Sequence, residues 1–222
     1  MSQELWTSVD RYIADSLNAS DPVLDACLAA AAAANLPSIN VSPPQGKLLF
    51  LLAQFIGARN MLEVGTLGGY STIWLARALP TGGRVITLEA DPNHAEVAAA
   101  NFARAGLENR IELRLGPALQ TLPKIAAEGR GPFDLIFIDA DKPSIPQYLD
   151  WGLKLSRPGS AILVDNVVRD GALADSTNND PSIQGVRRLH ELLGAEPRVV
   201  ATTIQTVGSK GYDGFTLARV TG

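Results

Sequence analysis

Met61-Leu62-Glu63-Val64-Gly65-Thr66-Leu67-Gly68-Gly69-Tyr70-Ser71-Thr72-Ile73-Trp74-Leu75-Ala76 is the stretch whose reading decides the fold. A short apolar run, Met61 to Val64, meets a loop with three glycines, and a helical stretch over 70–79 follows. Strand, glycine turn and helix in this order form one half of a β-α-β unit. Glycine lets the chain reverse sharply and lets a ligand approach the main chain. The new helix presents free N–H groups at its start.

The same unit recurs downstream. Apolar runs at Arg84–Leu88, Ile111–Leu115, Leu135–Ile138 and Ala161–Val164 alternate with helical stretches near 92–106, 117–128 and 144–155. Such alternation predicts a parallel sheet covered by helices on both faces, with ligands at the C-terminal ends of its strands. Two further strands, Arg198 to Ile204 and Phe215 to Val220, are separated by ten residues. That is too short for a helical crossover, so they are predicted to pair antiparallel. Upstream, helices are expected over 3–17, 21–34 and 44–57, with Pro37, Pro43 and Pro44 breaking the chain between the second and third. With no repeat and no long linker, the expectation is one domain, 1–222. Residues 1–57 would cap the site and 58–222 would form the core.

The 222 residues are 46% hydrophobic and 19% charged, with a formal net charge of −4. This is a globular composition. Its mildly acidic balance gives no general attraction to nucleic acid or to an anionic membrane. The apolar run Ala26 to Ala34 is too short to span a bilayer. The start of the chain lacks a signal-peptide pattern, and the single cysteine, Cys27, has no internal partner. A cytoplasmic protein acting on small molecules is the expectation, with Cys27 a small core residue.

The loop narrows the cofactor. Its spacing is not G-x-G-x-x-G, so the dinucleotide fingerprint is absent. Glu63 stands at its mouth. A carboxylate there would repel a pyrophosphate but suits a ligand with a cationic amino group, and S-adenosylmethionine has that group and no phosphate. Glu89 ends the next strand, 24 positions after Gly65, the distance at which an acid meets ribose hydroxyls in nucleotide-binding sheets. Asp91 is expected to cap the helix after it.

A second acidic group stands at the far strands. The run Leu135–Ile138 ends in Asp139-Ala140-Asp141-Lys142, and the run Ala161–Val164 ends in Asp165-Asn166. If the two strands are neighbours they lie about 4.8 Å apart, and Asp139 faces Asp165. Two such carboxylates repel unless a cation sits between them. An all-oxygen set of Asp139, Asp165 and Asn166 suits a hard ion, Mg²⁺ first, with Mn²⁺ or Ca²⁺ also compatible. Beside such an ion the ammonium form of Lys142 is disfavoured, which would let it take a proton from a hydroxyl.

Together with Pro44-Gln45-Gly46, these motifs resemble the cation-dependent O-methyltransferases, of the caffeoyl-coenzyme A type and its bacterial relatives, with catechol O-methyltransferase a more distant cousin. The resemblance covers roughly residues 20 to 222. It implies a Rossmann-like α/β fold with a seven-stranded, mostly parallel sheet whose last strand is antiparallel, and a homodimer. It also implies roles. Glu63 would hold the methionine ammonium and Ser71 its carboxylate. Gly65, Thr66 and Val41 would line the cofactor, Glu89 would bind ribose and Ala118 would meet the adenine. Asp139 would also touch the cofactor, and Asp141 would lie beside its methionine end. Asp139, Asp165 and Asn166 would hold the metal, with Asp139 and Lys142 in catalysis and Lys142 as base. Asp170 stands where the plant enzymes carry a substrate-contacting asparagine, which argues against the plant substrate. The segments 167–181 and 206–214 are expected to choose the acceptor, with Tyr212 covering an aromatic ring alongside Trp6 and Tyr12.

The expected activity is S-adenosylmethionine- and metal-dependent O-methylation of a vicinal dihydroxy aromatic small molecule. The alternatives are a metal-independent methyltransferase and, further off, a nicotinamide-dependent oxidoreductase.

Overall fold

A computed structural model describes residues 2–17 and 21–222. Seven strands form one sheet: β1 (Asn60–Val64), β2 (Arg84–Glu89), β3 (Ile111–Leu115), β4 (Leu135–Ile138), β5 (Ala161–Asp165), β6 (Val199–Gly208) and β7 (Gly211–Val220). Their order is β3-β2-β1-β4-β5-β7-β6. The first five are parallel, and β7 pairs antiparallel with both β5 and β6. The helices are α1 (Gln3–Leu17), α2 (Pro22–Ala33), α3 (Pro43–Phe55), α4 (Tyr70–Ala78), α5 (Pro92–Arg104), α6 (Ala118–Ala127), α7 (Ile145–Lys154) and α8 (Pro181–Ala195).

The central strands are apolar at consecutive positions because helices cover both faces. Successive side chains then feed two cores. Met61, Val85, Leu135, Phe137 and Leu163 join the core under α2 to α5. Leu62, Val64, Ile86, Ile136, Ile138 and Val164 join the core under α6 to α8. Cys27 is buried in the first of these cores. Helix starts follow a repeated device, a side-chain cap followed by proline at the first helical position. Asp21-Pro22, Ser42-Pro43, Asp91-Pro92 and Asp180-Pro181 all show it, with each cap accepting a backbone N–H.

Strand order reverses at β1, which has β2 on one side and β4 on the other. Loops leaving β1 and β4 therefore diverge, and a crevice opens at this switch point. Gly65 and Asp139 stand at its two lips.

One sequence expectation is corrected. The segment 206–214 is not a loop: β6 and β7 extend through it and leave only Ser209-Lys210 as the turn. The two strands stay paired without a break to the end of this hairpin, from Val199 with Val220 to Gly208 with Gly211. Helix α8 follows the 167–181 segment, with Asp180 as its cap.

Candidate active site

A cavity of about 1120 Å³ lies above the switch point. Val41, Gly65, Thr66, Ser71, Glu89, Ala118, Asp139, Asp141, Lys142 and Asn166 all line it. The sequence-selected residues Glu63, Asp165, Asp170 and Tyr212 do not.

The glycine loop is forced by a close approach. Gly65 has φ +102°, and a Cβ there would stand 2.0 Å from the backbone oxygen of Asp139. No side chain fits that gap, so the loop after β1 lies directly on the chain leaving β4. Gly65→Ala is expected to lose about 2–5 kcal/mol, combining left-handed strain with overpacking. Urea unfolding checks this; an unchanged midpoint would mean that the two loops separate freely.

Glu63 is fully buried behind this loop. Its carboxylate accepts hydrogen bonds from Ser71 Oγ at 2.6 Å, from Thr87 Oγ1 at 2.6 Å and from Thr72 Oγ1. Ser71 spends its only proton on Glu63, so its lone pairs remain for the cavity. Glu63 thus reaches the cavity through Ser71 rather than directly. Burial pushes the Glu63 carboxyl up to about 7, against the three hydroxyls and with the Asp139 charge adding to the rise. A carboxyl raised above its unfolded value contributes stability that is complete below about pH 4.5 and lost as the pH rises through about 7. The ligand-free protein in chelator is therefore expected to weaken between pH 5 and pH 8. Glu63→Gln should flatten that slope by about 3 kcal/mol. Denaturant midpoints at the two pH values measure it, and equal slopes in both proteins would contradict the buried charge.

Glu89 ends β2 with four backbone donors on its carboxylate. Oε2 accepts from Thr66 N at 3.2 Å and Leu67 N at 2.7 Å, while Oε1 accepts from Ala90 N and Asp91 N at 2.9 Å each. It ties the glycine loop to the start of α5, where Asp91 is the cap as expected.

At the other end of the cavity, β4 and β5 pair in register up to Ile138 and Val164, so Asp139 and Asp165 are neighbours. Lys142, largely buried, places Nζ 3.1 Å from Asp139 Oδ1. The turn that carries Lys142 is seated by α8: a Cβ on Gly185 would fall 2.2 Å from the Lys142 backbone oxygen. Asp165 is 4% exposed, and its carboxyl is pushed up to about 7 by burial and then by the charge of Asp139. Lys142, the Asn166 amide and the Gln45 side chain oppose this rise. Sequence reasoning gave Gln45 no role. Its signal was the Pro44-Gln45-Gly46 motif at the start of α3, which brings the N-terminal helices over β5. Asp141 accepts from Tyr148 Oη at 2.5 Å and caps its own turn through Ser144 N at 3.2 Å.

After β5 the chain passes Asn166, Arg169 and Asp170, all with φ near +56°. Such a backbone persists only when its surroundings over-determine it. Here β7 does so: Asp213 Oδ1 accepts from Val168 N and Arg169 N at 2.9 Å each, and Gly214 O accepts from Val167 N at 3.0 Å. This pinning corrects the expectation for Asp170 and Tyr212. They sit together outside the cavity, with Asp170 N donating to Tyr212 O and the Tyr212 hydroxyl turned to Gln205. Their neighbours Arg169 and Lys210 line the cavity instead.

A family model for O-methyltransferases matches residues 15–221. The chain belongs to the O-methyltransferase family. This membership sets the nicotinamide reading aside. The O-methyltransferase is 53% identical over 220 residues to a catechol O-methyltransferase of Niastella koreensis, spanning 99% of this chain and 100% of that one. It is 52% identical to a catechol O-methyltransferase of Mycobacterium tuberculosis, over 96% of this chain and 94% of that one. Among solved structures, the O-methyltransferase from Bacillus cereus in complex with SAH has a TM-score of 0.98 at 59% identity, covering 99% and 100% of the two chains. An O-methyltransferase from Streptomyces achromogenes involved in tomaymycin synthesis, in complex with SAM, gives a TM-score of 0.97 at 53% identity over the full length of both.

Proposed function

We propose that this chain transfers the methyl group of S-adenosylmethionine to one hydroxyl of a vicinal dihydroxy aromatic acceptor, with a divalent cation in the site. The observation that carries the reading is the pair Asp139 and Asp165, set side by side at adjacent strand ends: Asp139 and Lys142 line the cavity that also holds the glycine loop, and Asp165 is buried beside Asp139. The relatives that hold SAH or SAM, and those that act on catechol, support the same reading.

The donor set fits a hard cation. Among the described residues no group of three His, Cys, Asp or Glu stands ready for a metal. Two carboxylates and the Asn166 amide oxygen nevertheless make an all-oxygen set. The raised carboxyl of Asp165 is that of a buried acid short of positive charge. Asp139, Asp165 and Asn166 would hold the ion, Mg²⁺ first. When bound, it supplies charge that favours ionisation of an acceptor hydroxyl.

The residues of the chain do the rest. Glu63 acts through Ser71, whose lone pairs meet the methionine ammonium rather than its carboxylate. Gly65 and Thr66 offer main chain, Val41 closes over the loop from the N-terminal side, and Asp141 stands by the methionine end. Glu89 meets the ribose, and Ala118, first in α6, meets the adenine. Lys142 takes the hydroxyl proton. The rigid lips of the crevice align acceptor oxygen and methyl carbon, the main requirement when charge is neutralised during transfer. The test is a panel of catechols and non-vicinal phenols with S-adenosylmethionine, with methyl groups counted by mass spectrometry. Methylation of the catechols alone is expected; equal methylation of isolated phenols would overturn the vicinal-diol reading.

The reading includes a homodimer. Helix α1 buries no residue, and its Leu5, Val9 and Tyr12 are exposed along with Phe55 of α3 and Val200, Ile204 and Val207 of the edge strand β6. Helix α1 packs on both α3 and β6, so these residues share one side of the molecule. An apolar area of this kind on an edge strand calls for a cover. Light scattering is expected to give twice the chain mass, and Phe55→Asp with Val207→Asp is expected to give a monomer. A monomeric unmodified protein would refute it. No helix among the described residues is long and apolar enough to cross a membrane.

A further inference from the structure

The acceptor end of the cavity carries two cations that the reaction scheme does not use. Lys210 occupies the two-residue turn between β6 and β7, and its Nζ donates to the Ser38 carbonyl at 3.0 Å. Ser38 lies three residues before Val41, so this bond draws the hairpin turn against the N-terminal lip of the cavity. No ion pair to Lys210 exists among the described residues, and partial burial lowers its ammonium below the usual lysine range with no acid to offset that. Arg169 follows Asn166 by three residues. Its guanidinium stands 3.8 Å from Asp213 Oδ2, beyond the roughly 3.2 Å limit of an ordinary hydrogen bond, while Asp213 Oδ1 serves Val168 N, Arg169 N and Gly214 N. Both cations line the same cavity as Asp139, Lys142 and Asn166.

The acids of that cavity are already engaged. Asp139 faces Lys142, Asp141 holds Tyr148 and Ser144, and Glu89 holds four backbone amides. Among the described residues the cavity wall therefore gives Lys210 no ion pair, and the one ion pair of Arg169 is with Asp213, which does not line the cavity. Lys210 is thus a partly desolvated cation without a counter-charge, while Arg169 has Asp213, a carboxylate that also serves three backbone amides; a ligand that brings a further negative charge offsets the desolvation. Arg169 lies on the segment that leaves Asn166, and Lys210 is bound to Ser38 on the segment that leads to Val41.

We infer that Lys210 and Arg169 form a clamp for an anionic substituent of the acceptor, so that the preferred substrate is a catechol carrying a carboxylate. The inference rests on the catechol reading above and deepens it. A carboxylate on the ring or its side chain reaches the clamp while the vicinal oxygens face Asp139 and Asn166. The planar Arg169 fork suits both carboxylate oxygens, and Lys210 adds a point charge.

The test compares 3,4-dihydroxybenzoate with its methyl ester at saturating S-adenosylmethionine and Mg²⁺. The two share ring and diol and differ in charge. The acid is expected to have a kcat/KM at least about tenfold higher, carried by KM and shrinking as salt rises, the scale of a charge-assisted hydrogen bond. Lys210→Met and Arg169→Met are each expected to cut that preference severalfold, and Lys210→Arg to keep most of it. Calorimetric S-adenosylmethionine affinity in Lys210→Met is the second readout, expected to stay within about threefold of the unmodified protein. An ester used as well as the acid, or a preference untouched in both methionine variants, overturns the clamp and leaves the catechol reading standing. A loss of cofactor affinity in place of acid preference also overturns it and gives the cations to the methionine carboxylate. Methylation of neither compound overturns the catechol reading and the clamp with it.

Discussion

Asp165→Ala is expected to lower kcat about a thousandfold or more while S-adenosylmethionine binds within about threefold of its usual affinity. The magnitude follows from the several kcal/mol that a bound cation contributes, at about 1.4 kcal/mol per factor of ten. The separation of the two effects follows from the structure. Asp165 ends β5, while the glycine loop, Glu63 and Glu89 end β1 and β2. Its loss strips the cation site without touching the cofactor loop. Nor should the variant unfold: a carboxyl pushed up to about 7 by burial and by Asp139 opposes folding at neutral pH. The ligand-free variant at pH 8 is therefore expected to be as stable in urea as the unmodified chain, despite a small cavity. Steady-state kinetics, cofactor calorimetry and urea unfolding read the three quantities. Retained turnover would remove Asp165 from the mechanism, and a collapse in stability would make it structural.

Lys142→Ala comes next in expected size. A positioned general base contributes about 10²–10⁴-fold, and the loss should fall on kcat. Lys142 is held for that role: its Nζ lies 3.1 Å from Asp139 Oδ1, and its backbone is clasped by α8 at Gly185. Lys142→Arg should restore the charge beside Asp139 but little of the rate, because a guanidinium does not give up its proton. Comparable rescue by arginine would reassign Lys142 to holding Asp139 in place. A loss below about threefold in the alanine variant would send the hydroxyl proton elsewhere.

The central sheet was legible because each buried strand announces itself as a short apolar run between glycine or acidic strand ends. Both faces of such a strand are covered, so the run is uninterrupted, as at Leu135 to Ile138. Helix α8 was harder: its pattern is broken by Gly185 and by charges, and Gly185 is there to meet the Lys142 turn rather than to favour a helix. The Asp180-Pro181 start was the same signal that opens α2 and α5, and it was available. The β6–β7 hairpin was read too short because Gly208, Gly211 and Gly214 look like loop residues, yet Gly214 is the place where a side chain would strike the Ile204 carbonyl across the ladder.

At the site, residue types and spacing selected the strand-end acids. What they left hidden was who faces the cavity. Glu63 stands in the loop by sequence, but three hydroxyls enclose it and Ser71 forms the surface. Asp170 and Tyr212 were one and two positions from the residues that line the cavity, a displacement set by the positive φ angles after Asn166 and by the tight turn at Lys210. Gln45 reaches Asp165 across a large sequence separation, which no local pattern reveals.

The central claim is that methyl transfer to a vicinal diol needs a divalent cation held by Asp139, Asp165 and Asn166. Its most direct test is one assay with catechol and S-adenosylmethionine, run in EDTA and again after Mg²⁺ is restored in excess. Turnover that vanishes in EDTA and returns with Mg²⁺ is the predicted result. Turnover at an undiminished rate in EDTA would contradict it, and would make the two buried acids structural in a metal-independent methyltransferase.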